Sequence, residues 1–190
     1  MIRLGILGST RGTNLGAIVE AIQQNKLAAA IRIVISNKPD AGILQRAQAY
    51  GLTTQFISPK DLTREVYDQA VTALLQQHEV DLVVLIGYMR ILSVEFVHAW
   101  ERKIINVHPS LLPAFAGKMD LEVHRAVLEA GVSETGCTVH EVTEEVDAGP
   151  ILVQQKCSVL TGDTPEILKQ RVQQLEGGAL VAAILKKEQQ

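Results

Sequence analysis

The sequence predicts an α/β protein with a doubly wound, mainly parallel sheet, helices on both faces and an antiparallel addition near the C-terminus. Three observations lead to this prediction. Strand-like apolar runs alternate with helical patterns through the first hundred residues. The run 82–86 is continuously apolar, which is typical of a strand covered on both faces. Two strand-like segments, 137–142 and 151–159, then follow one another without a helical pattern between them.

The first half of the chain carries clear helix boundaries. Gly51 stands just after the second helix, where glycine commonly ends helices. Thr63 and Ser93 stand where N-cap residues are expected. The predicted elements, in chain order, are a strand at 3–7, a helix at 14–24, a strand at 30–36, a helix at 41–50, a strand at 54–57, a helix at 63–77, a strand at 81–86 and a short helix after Ser93.

The second half begins with a short buried strand from residue 103, which ends before Pro109 because proline cannot donate to a sheet ladder. A helix near 121–130 precedes the two late strands. A long amphipathic helix over 164–187 follows, with Pro165 in its first turn. The chain shows no internal repeat, low-complexity tract or linker, so we predict a single domain over residues 1–190.

Composition narrows the class of protein. The chain has 190 residues, 47% of them hydrophobic, and a net charge of −3 without a basic block, so a nucleic-acid partner is not expected. No apolar run approaches the length of a membrane span, and the N-terminus leads into a strand rather than a signal peptide. Cys137 and Cys157 indicate cytosolic thiols rather than a disulfide or a metal site. We expect a cytoplasmic, metal-free protein with small-molecule partners; the oligomeric state stays open.

The most informative motif runs from Asn106 to Pro113. Asn106 and His108 share one face of their strand because residues two apart point the same way. They stand at the carboxyl end of the strand, where ligands bind in open α/β sheets. An amide beside an imidazole suits acyl transfer, since one group can hold an oxyanion and the other can move a proton. The alternative is a pair that only caps a turn.

The first strand is followed by the glycine-bearing turn 8–14. Backbone N–H groups at a helix N-terminus suit a phosphate, Thr13 and Asn14 add side-chain donors, and Arg11 can add charge. The spacing matches neither a dinucleotide fingerprint nor a Walker loop, and Asn37 ends the second strand where a ribose-binding acid would stand. We therefore favour a monophosphate, with a tight turn that binds no ligand as the alternative.

Two further segments are candidates for the same site. Residues 87–92 follow the most apolar strand, and they either flank a planar heterocycle or pack Met89 and Leu92 into the core. Asp147, in a turn before Gly149 and Pro150, is either a turn former or the carboxylate that orients His108. The four other histidines are interpreted as structural: His78, His98, His124 and His140.

Together these motifs resemble the glycinamide ribonucleotide formyltransferases of purine biosynthesis, which use 10-formyltetrahydrofolate as co-substrate. The resemblance covers nearly the whole chain. It rests on the Gly12-Thr13-Asn14 turn, the segments 36–38, 89–92 and 106–113, and the Asp-Ala-Gly-Pro turn at 147–150, in the family's order and spacing. The Asn-x-His-Pro-Ser motif with a distal Asp-x-Gly is typical of formyl-folate enzymes, and the phosphate loop narrows this to the ribonucleotide branch.

The resemblance implies roles for individual residues. Asn106, His108 and Asp147 would be catalytic. The ribonucleotide would be bound by Gly12, Thr13, Asn14, Gln173 and Glu176. The folate would be bound by Arg64, Met89, Arg90, Ile91, Leu92, Thr143, Glu144, Glu145 and Val146. No metal is implied.

The chain departs from the family pattern at two places. Glu176 is followed by Gly177 and Gly178 where the family usually carries Glu-His, and glycine inside a helix costs about 1 kcal/mol relative to alanine. The segment from Lys118 to Val123 is also longer than in the commonest members. Both departures concern the contacts with the ribonucleotide rather than the catalytic residues.

The resemblance leaves competing functions. A formyl-folate hydrolase, or a formyltransferase acting on a sugar nucleotide or initiator tRNA, would share the core, but the hydrolase and tRNA branches carry an extra domain for which we expect no room in 190 residues. A non-catalytic nucleotide-binding module would account for the first turn but leave Asn106, His108 and Asp147 without a role. We therefore expect formyl transfer from the reduced folate to the glycyl amine of a phosphoribosyl substrate.

Overall fold

The computed structural model describes residues 1–189. The chain forms two compact units, one over Met1–Asn106 and the other from Val107 onward. The single domain predicted over the whole chain stays a prediction. No helix among the described residues is long and apolar enough to cross a membrane.

The first unit is an α/β sheet with its helices in two pairs. Its five strands lie in the order β3-β2-β1-β4-β5, and all of their pairings are parallel. The order reverses at β1, so α1 and α2 pack together on one side while α3 and α4 pack together on the other. The elements are β1 (Ile2–Leu7), α1 (Leu15–Gln23), β2 (Ala29–Ser36), α2 (Gly42–Ala49), β3 (Thr54–Phe56), α3 (Arg64–Gln77), β4 (Leu82–Leu85), α4 (Val94–Ala99) and the start of β5 (Ile104–His108).

The second unit contains an antiparallel pair of strands. It comprises the end of β5, α5 (Leu121–Glu129), β6 (Glu134–Glu141), β7 (Ile151–Ser158) and α6 (Pro165–Glu188). Strands β6 and β7 pair antiparallel, and α6 packs against both strands and against α5. β6 begins three residues before the predicted start at Cys137, because Glu134, Thr135 and Gly136 also pair with β7. The predicted fold class, mainly parallel with an antiparallel addition, is confirmed.

The predicted helix boundaries follow from local capping. The side chains of Thr63, Ser93 and Thr164 each accept a hydrogen bond from the backbone N–H three residues later, which satisfies one of the free donors of the first turn. Gly51 follows α2 with a φ of 71°, the left-handed conformation that glycine adopts at low cost. These caps confirm the predicted ends of the helices that lead into and out of the sheets.

Helix α6 runs without a break through Gly177 and Gly178. Gly178 is exposed, and an added Cβ would meet only the Gln155 amide, at 3.6 Å. We therefore expect Gly178→Ala to raise the free energy of unfolding by about 0.5–1 kcal/mol, since alanine lowers the conformational entropy of the unfolded chain. Urea denaturation of both proteins measures the change. A destabilised variant would show that α6 needs the smaller residue at this position.

Candidate active site

Strand β5 carries Asn106 and His108 to its carboxyl end. Ile104 and Ile105 anchor the strand in the core because both are fully buried. Asn106 is half-buried, whereas His108 is only 4% exposed. The two residues are two positions apart on one strand, so the amide and the imidazole leave the same face of β5.

The turn that follows His108 is held by Thr138, a fully buried residue of β6. Its hydroxyl donates to the Ser110 carbonyl at 2.7 Å and accepts from the Leu112 N–H at 2.9 Å. The Gln154 amide on β7 donates to the same hydroxyl at 3.0 Å and to the Leu112 carbonyl at 2.9 Å. This network fixes the turn from both sides and so restricts the position of the imidazole before it. Nothing in the sequence pattern singled out either Thr138 or Gln154.

Asp147 lies beside His108. The distance from His108 Nδ1 to Asp147 Oδ2 is 3.3 Å, and the two side chains are 5% and 10% exposed. The Gly117 N–H donates to the same carboxylate oxygen at 2.8 Å. The second ring nitrogen, His108 Nε2, is 3.3 Å from the Phe115 carbonyl oxygen. The structure thus brings together two predicted residues from distant parts of the sequence, within ion-pair distance of each other.

His140 on β6 faces the same carboxylate. Its Nε2 is 3.6 Å from Asp147 Oδ1, and its Nδ1 is 2.9 Å from the Glu141 carbonyl oxygen. The sequence interpretation treated His140 as structural, and its position next to Asp147 was missed. The one available signal was that His140 lies one residue before the end of β6, and Asp147 lies in the loop that follows this strand.

Burial and charge act in opposite directions on both rings. Burial lowers the pKa of His108 below its ordinary value, while the Asp147 carboxylate acts to raise it. Burial also lowers the pKa of His140, whereas the Glu141 carbonyl and the Asp147 carboxylate act to raise it. A neutral imidazole can donate from one nitrogen only, yet each ring contacts two oxygen acceptors. Only a protonated ring can therefore donate towards both of its oxygen neighbours, whereas burial favours the neutral form of each ring.

The glycine-bearing turn after β1 leads directly into the N-terminus of α1. Gly12 has a φ of 63°, and an added Cβ would lie 2.3 Å from the Ile43 side chain, so only glycine fits. Asn14 is the buried N-cap of α1, and its side chain makes no cap hydrogen bond within the helix. Thr13 between them is exposed. An anion placed at this turn would lie near the N-terminus of α1.

The segment after β4 belongs to the same unit. Tyr88 is buried, whereas Met89 and Ile91 are 40% and 56% exposed, so Met89 does not pack into the core. The Arg90 guanidinium lies over the Tyr67 ring, 4.3 Å from its centroid. Two of the predicted folate-binding residues therefore present apolar side chains to solvent. Leu92 is half-buried, and Arg64, the first residue of α3, is exposed.

The remaining predicted site residues lie in the second unit. The loop 142–150 joins β6 to β7 and exposes Thr143, Glu144, Glu145 and Val146. Gln173 and Glu176 are three residues apart on α6 and share a helix face. Glu176 is 8% exposed, and its charge adds to burial in raising the pKa of the Cys137 thiol to about 12. Among residues 1–189, no cluster of three or more histidine, cysteine or acidic side chains could hold a metal ion.

Comparison with known proteins identifies the family. The formyl transferase family profile matches residues 2–184. The chain is 45% identical over 184 residues to the trifunctional purine biosynthetic protein adenosine-3 of Gallus gallus, and this alignment covers 96% of the chain but only 18% of that protein. It is 42% identical over 172 residues to the phosphoribosylglycinamide formyltransferase of Escherichia coli, covering 90% of the chain and 80% of the relative.

Solved structures agree with these relatives. Glycinamide ribonucleotide transformylase 1 of Symbiobacterium toebii superposes with a TM-score of 0.93 at 43% identity, covering 97% of this chain and 86% of the other. Phosphoribosylglycinamide formyltransferase of Brucella melitensis gives a TM-score of 0.91 at 41% identity, with coverage of 97% and 94%. The resemblance predicted from the motifs is confirmed, and the chain belongs to the formyl transferase family.

Proposed function

We propose that this chain transfers a formyl group from 10-formyltetrahydrofolate to the amino group of glycinamide ribonucleotide in de novo purine biosynthesis. The observation that carries the proposal is the contact of His108 Nδ1 with Asp147 Oδ2 at 3.3 Å, at the end of the strand that also carries Asn106. Family membership and the names of the relatives support the choice of substrates.

In the proposed reaction, the substrate amine attacks the formyl carbon. A carbon–nitrogen bond forms to the glycyl amine, and the bond from the formyl carbon to the folate nitrogen breaks. Asn106 donates a hydrogen bond to the oxyanion that develops on the formyl oxygen. Protonated His108 also stabilises this oxyanion. It gives its proton to the departing folate nitrogen and takes up the proton that the attacking amine releases, so protons and electrons balance. Asp147 orients the imidazole and stabilises its charged form.

The geometry of His108 supports this assignment. Because Nδ1 faces Asp147, Nε2 is the nitrogen available to the reacting amine. Nε2 contacts the Phe115 carbonyl at 3.3 Å, a long hydrogen bond that a substrate can replace. The arrangement follows the general pattern of a base that is itself oriented by a third group.

The two substrates are assigned to separate groups of residues. Gly12, Thr13 and Asn14 would hold the ribonucleotide phosphate, with Gln173 and Glu176 contacting the same substrate. Arg64, the segment Met89–Leu92 and the loop residues Thr143, Glu144, Glu145 and Val146 would bind the folate. The exposed apolar side chains of Met89 and Ile91 support this, because a planar heterocycle needs apolar surface around it.

We also propose that both substrates are small molecules and that the reaction takes place in the cytoplasm. The low net charge and the absence of a basic block in the sequence support the first point. Two cysteines that form no disulfide support the second.

The proposal is tested by assaying folate release with and without the ribonucleotide. We expect release to require the amine substrate and formylated ribonucleotide to form in equal amount. Release without the amine would instead identify a formyl-folate hydrolase. Binding of the ribonucleotide without any turnover would identify a nucleotide-binding module.

Replacement of Thr13 by aspartate tests the phosphate assignment. The repulsion between two like charges about 4 Å apart is about 1 kcal/mol in bulk water and about 4 kcal/mol near a protein surface. The affinity for the ribonucleotide should therefore fall by about fivefold to several hundredfold. Folate affinity should stay near the wild-type value. Calorimetric titration with each substrate alone measures both, and Thr13→Ser is the matched control because it keeps the hydroxyl. An equal loss of both affinities in a folded variant would contradict the assignment.

A further inference from the structure

A single buried hydroxyl links the three loops that follow β1, β2 and β4. Ser9 is 3% exposed, and its hydroxyl donates to Asn37 Oδ1 at 2.6 Å. The same oxygen accepts a hydrogen bond from the Met89 N–H at 2.9 Å. The Ser9 N–H also donates to the Gly87 carbonyl, at 3.1 Å. Three loops of the first unit, those after β1, β2 and β4, therefore meet at one side chain.

The loops after β1 and β4 approach each other closely around Ser9. A Cβ added to Gly87 would lie 2.3 Å from the Thr10 hydroxyl, and one added to Gly8 would lie 2.9 Å from the Ile86 carbonyl. On the other side, the Thr10 carbonyl accepts from the Ile43 N–H at 3.0 Å, at the start of α2. The loop after β1 thus contacts α2 through Thr10. The Ser9 hydroxyl bonds to the loops after β2 and β4, through Asn37 and Met89.

The hydrogen bonds to Asn37 and Met89 both depend on the Ser9 hydroxyl. A serine hydroxyl carries one donor and two acceptor sites, and here the donor and one acceptor are in use. Because Ser9 is buried, removal of its hydroxyl would leave the Met89 N–H and the side-chain oxygen Oδ1 of Asn37 without this partner. Met89 is itself 40% exposed, so its side chain contributes little packing to hold the segment that follows.

We propose that Ser9 is a positioning residue for both substrates of the proposed reaction. It sets the loop that carries Gly12, Thr13 and Asn14 relative to the segment that begins at Met89, while its own side chain touches neither substrate. The inference rests on the proposed function, since it takes the first loop as the phosphate site and the second as part of the folate site. The hydrogen bonds of Ser9 described above are to Asn37, Met89 and Gly87, none of which is assigned to the chemical step, so we expect that step not to depend on Ser9.

The test is steady-state kinetics of Ser9→Ala with both substrates varied. We expect KM to rise by about threefold to tenfold for the ribonucleotide and for the folate, the loss that follows from one missing buried hydrogen bond. kcat should stay within about twofold, since the His108–Asp147 pair is unaltered. Thr72→Val is the matched control: the Thr72 hydroxyl accepts from Trp100 Nε1 at 3.3 Å on α3, away from both loops. It should lower the melting temperature without changing either KM.

Asn37→Ala provides a second variant in case Ser9→Ala does not fold. It removes the acceptor of the Ser9 hydroxyl but leaves the Met89 hydrogen bond, so both KM values should rise by less than in Ser9→Ala. The double variant should be no worse than Ser9→Ala alone, because the two residues act through one hydrogen bond.

The outcomes separate this inference from the proposed function. If the wild-type chain transfers no formyl group, the proposed function fails first. If the wild type is active, but Ser9→Ala or Asn37→Ala leaves both KM values unchanged or shifts only one of them, Ser9 does not position both loops and the inference is overturned.

Discussion

Replacing Asn106 with alanine should lower the rate of formyl transfer by about a hundredfold to a thousandfold. An amide placed beside the reacting carbonyl binds the oxyanion more strongly than it binds the ground-state oxygen, so its loss raises the barrier and leaves the substrates bound. Asn106 is half-buried on β5, so truncation should cost little stability. Single-turnover kinetics with both substrates saturating measure the chemical rate directly.

Asn106→Asp is the matched control for this prediction. It keeps the shape of the side chain but replaces the donor with a charged acceptor, so it should be at least as slow as the alanine variant. Dissociation constants for both substrates should change by less than the rate. An alanine variant that retains most of its turnover would mean that the amide shapes the end of β5 and does not bind an oxyanion.

Replacing Asp147 with asparagine should lower turnover by about a hundredfold or more and move the pH dependence. Asparagine has the same shape, so its oxygen can still accept from the Gly117 N–H. Its amide nitrogen would then face His140 Nε2, which can accept when Nδ1 donates to the Glu141 carbonyl. The substitution therefore removes the charge while keeping the Gly117 hydrogen bond, so its effect reports mainly on electrostatics.

The direction of the pH shift follows from the signs of the two effects. Burial already lowers the pKa of His108, and Asp147 opposes that lowering. Without the carboxylate, the pKa of His108 should fall further, so activity that requires the protonated ring is lost at a lower pH. The pH–rate profile of both proteins, paired with NMR titration of the histidine rings, measures the shift.

The two other buried histidines are followed in the same titration, and they should respond differently. Asp147 also acts to raise the pKa of His140, so that ring should titrate lower in the variant as well. The pKa of His124 is lowered to about 4 by burial and by Lys169, without a direct effect of Asp147, and it should change little. An unchanged His108 titration would show that Asp147 only shapes its turn.

The sequence predicted those parts of the fold that depend on local rules. The N-caps predicted at Thr63 and Ser93 are made by each residue with its own helix, so the local sequence alone was sufficient. The buried strand β4 was equally clear, because a short continuous apolar run is typical of a strand that is covered on both faces. The start of β6 was wrong by three residues, because it depends on pairing with β7 rather than on its own composition.

The candidate site was predictable only in its most distinctive residues. Asn106 and His108 stand out because they are polar at the end of an apolar strand. Thr138 and Gln154 do not stand out, because a threonine and a glutamine on strands are ordinary and their role comes from the turn that they meet. Contacts through backbone atoms, such as those of Phe115 and Gly117, leave no trace in side-chain chemistry. These parts depend on tertiary approach, which sequence spacing cannot express.

The close approach of Gly149 to β6 has a consequence for mutational tolerance around Asp147. A Cβ at residue 149 would lie 1.8 Å from the Glu141 carbonyl oxygen, the atom that also contacts the His140 ring. Every side chain larger than hydrogen must therefore push back the backbone that orients His140. Ala148, one residue earlier, is exposed and free of this restriction. In a saturation mutagenesis experiment, neighbouring codons should differ sharply, with nearly every substitution accepted at 148 and almost none at 149.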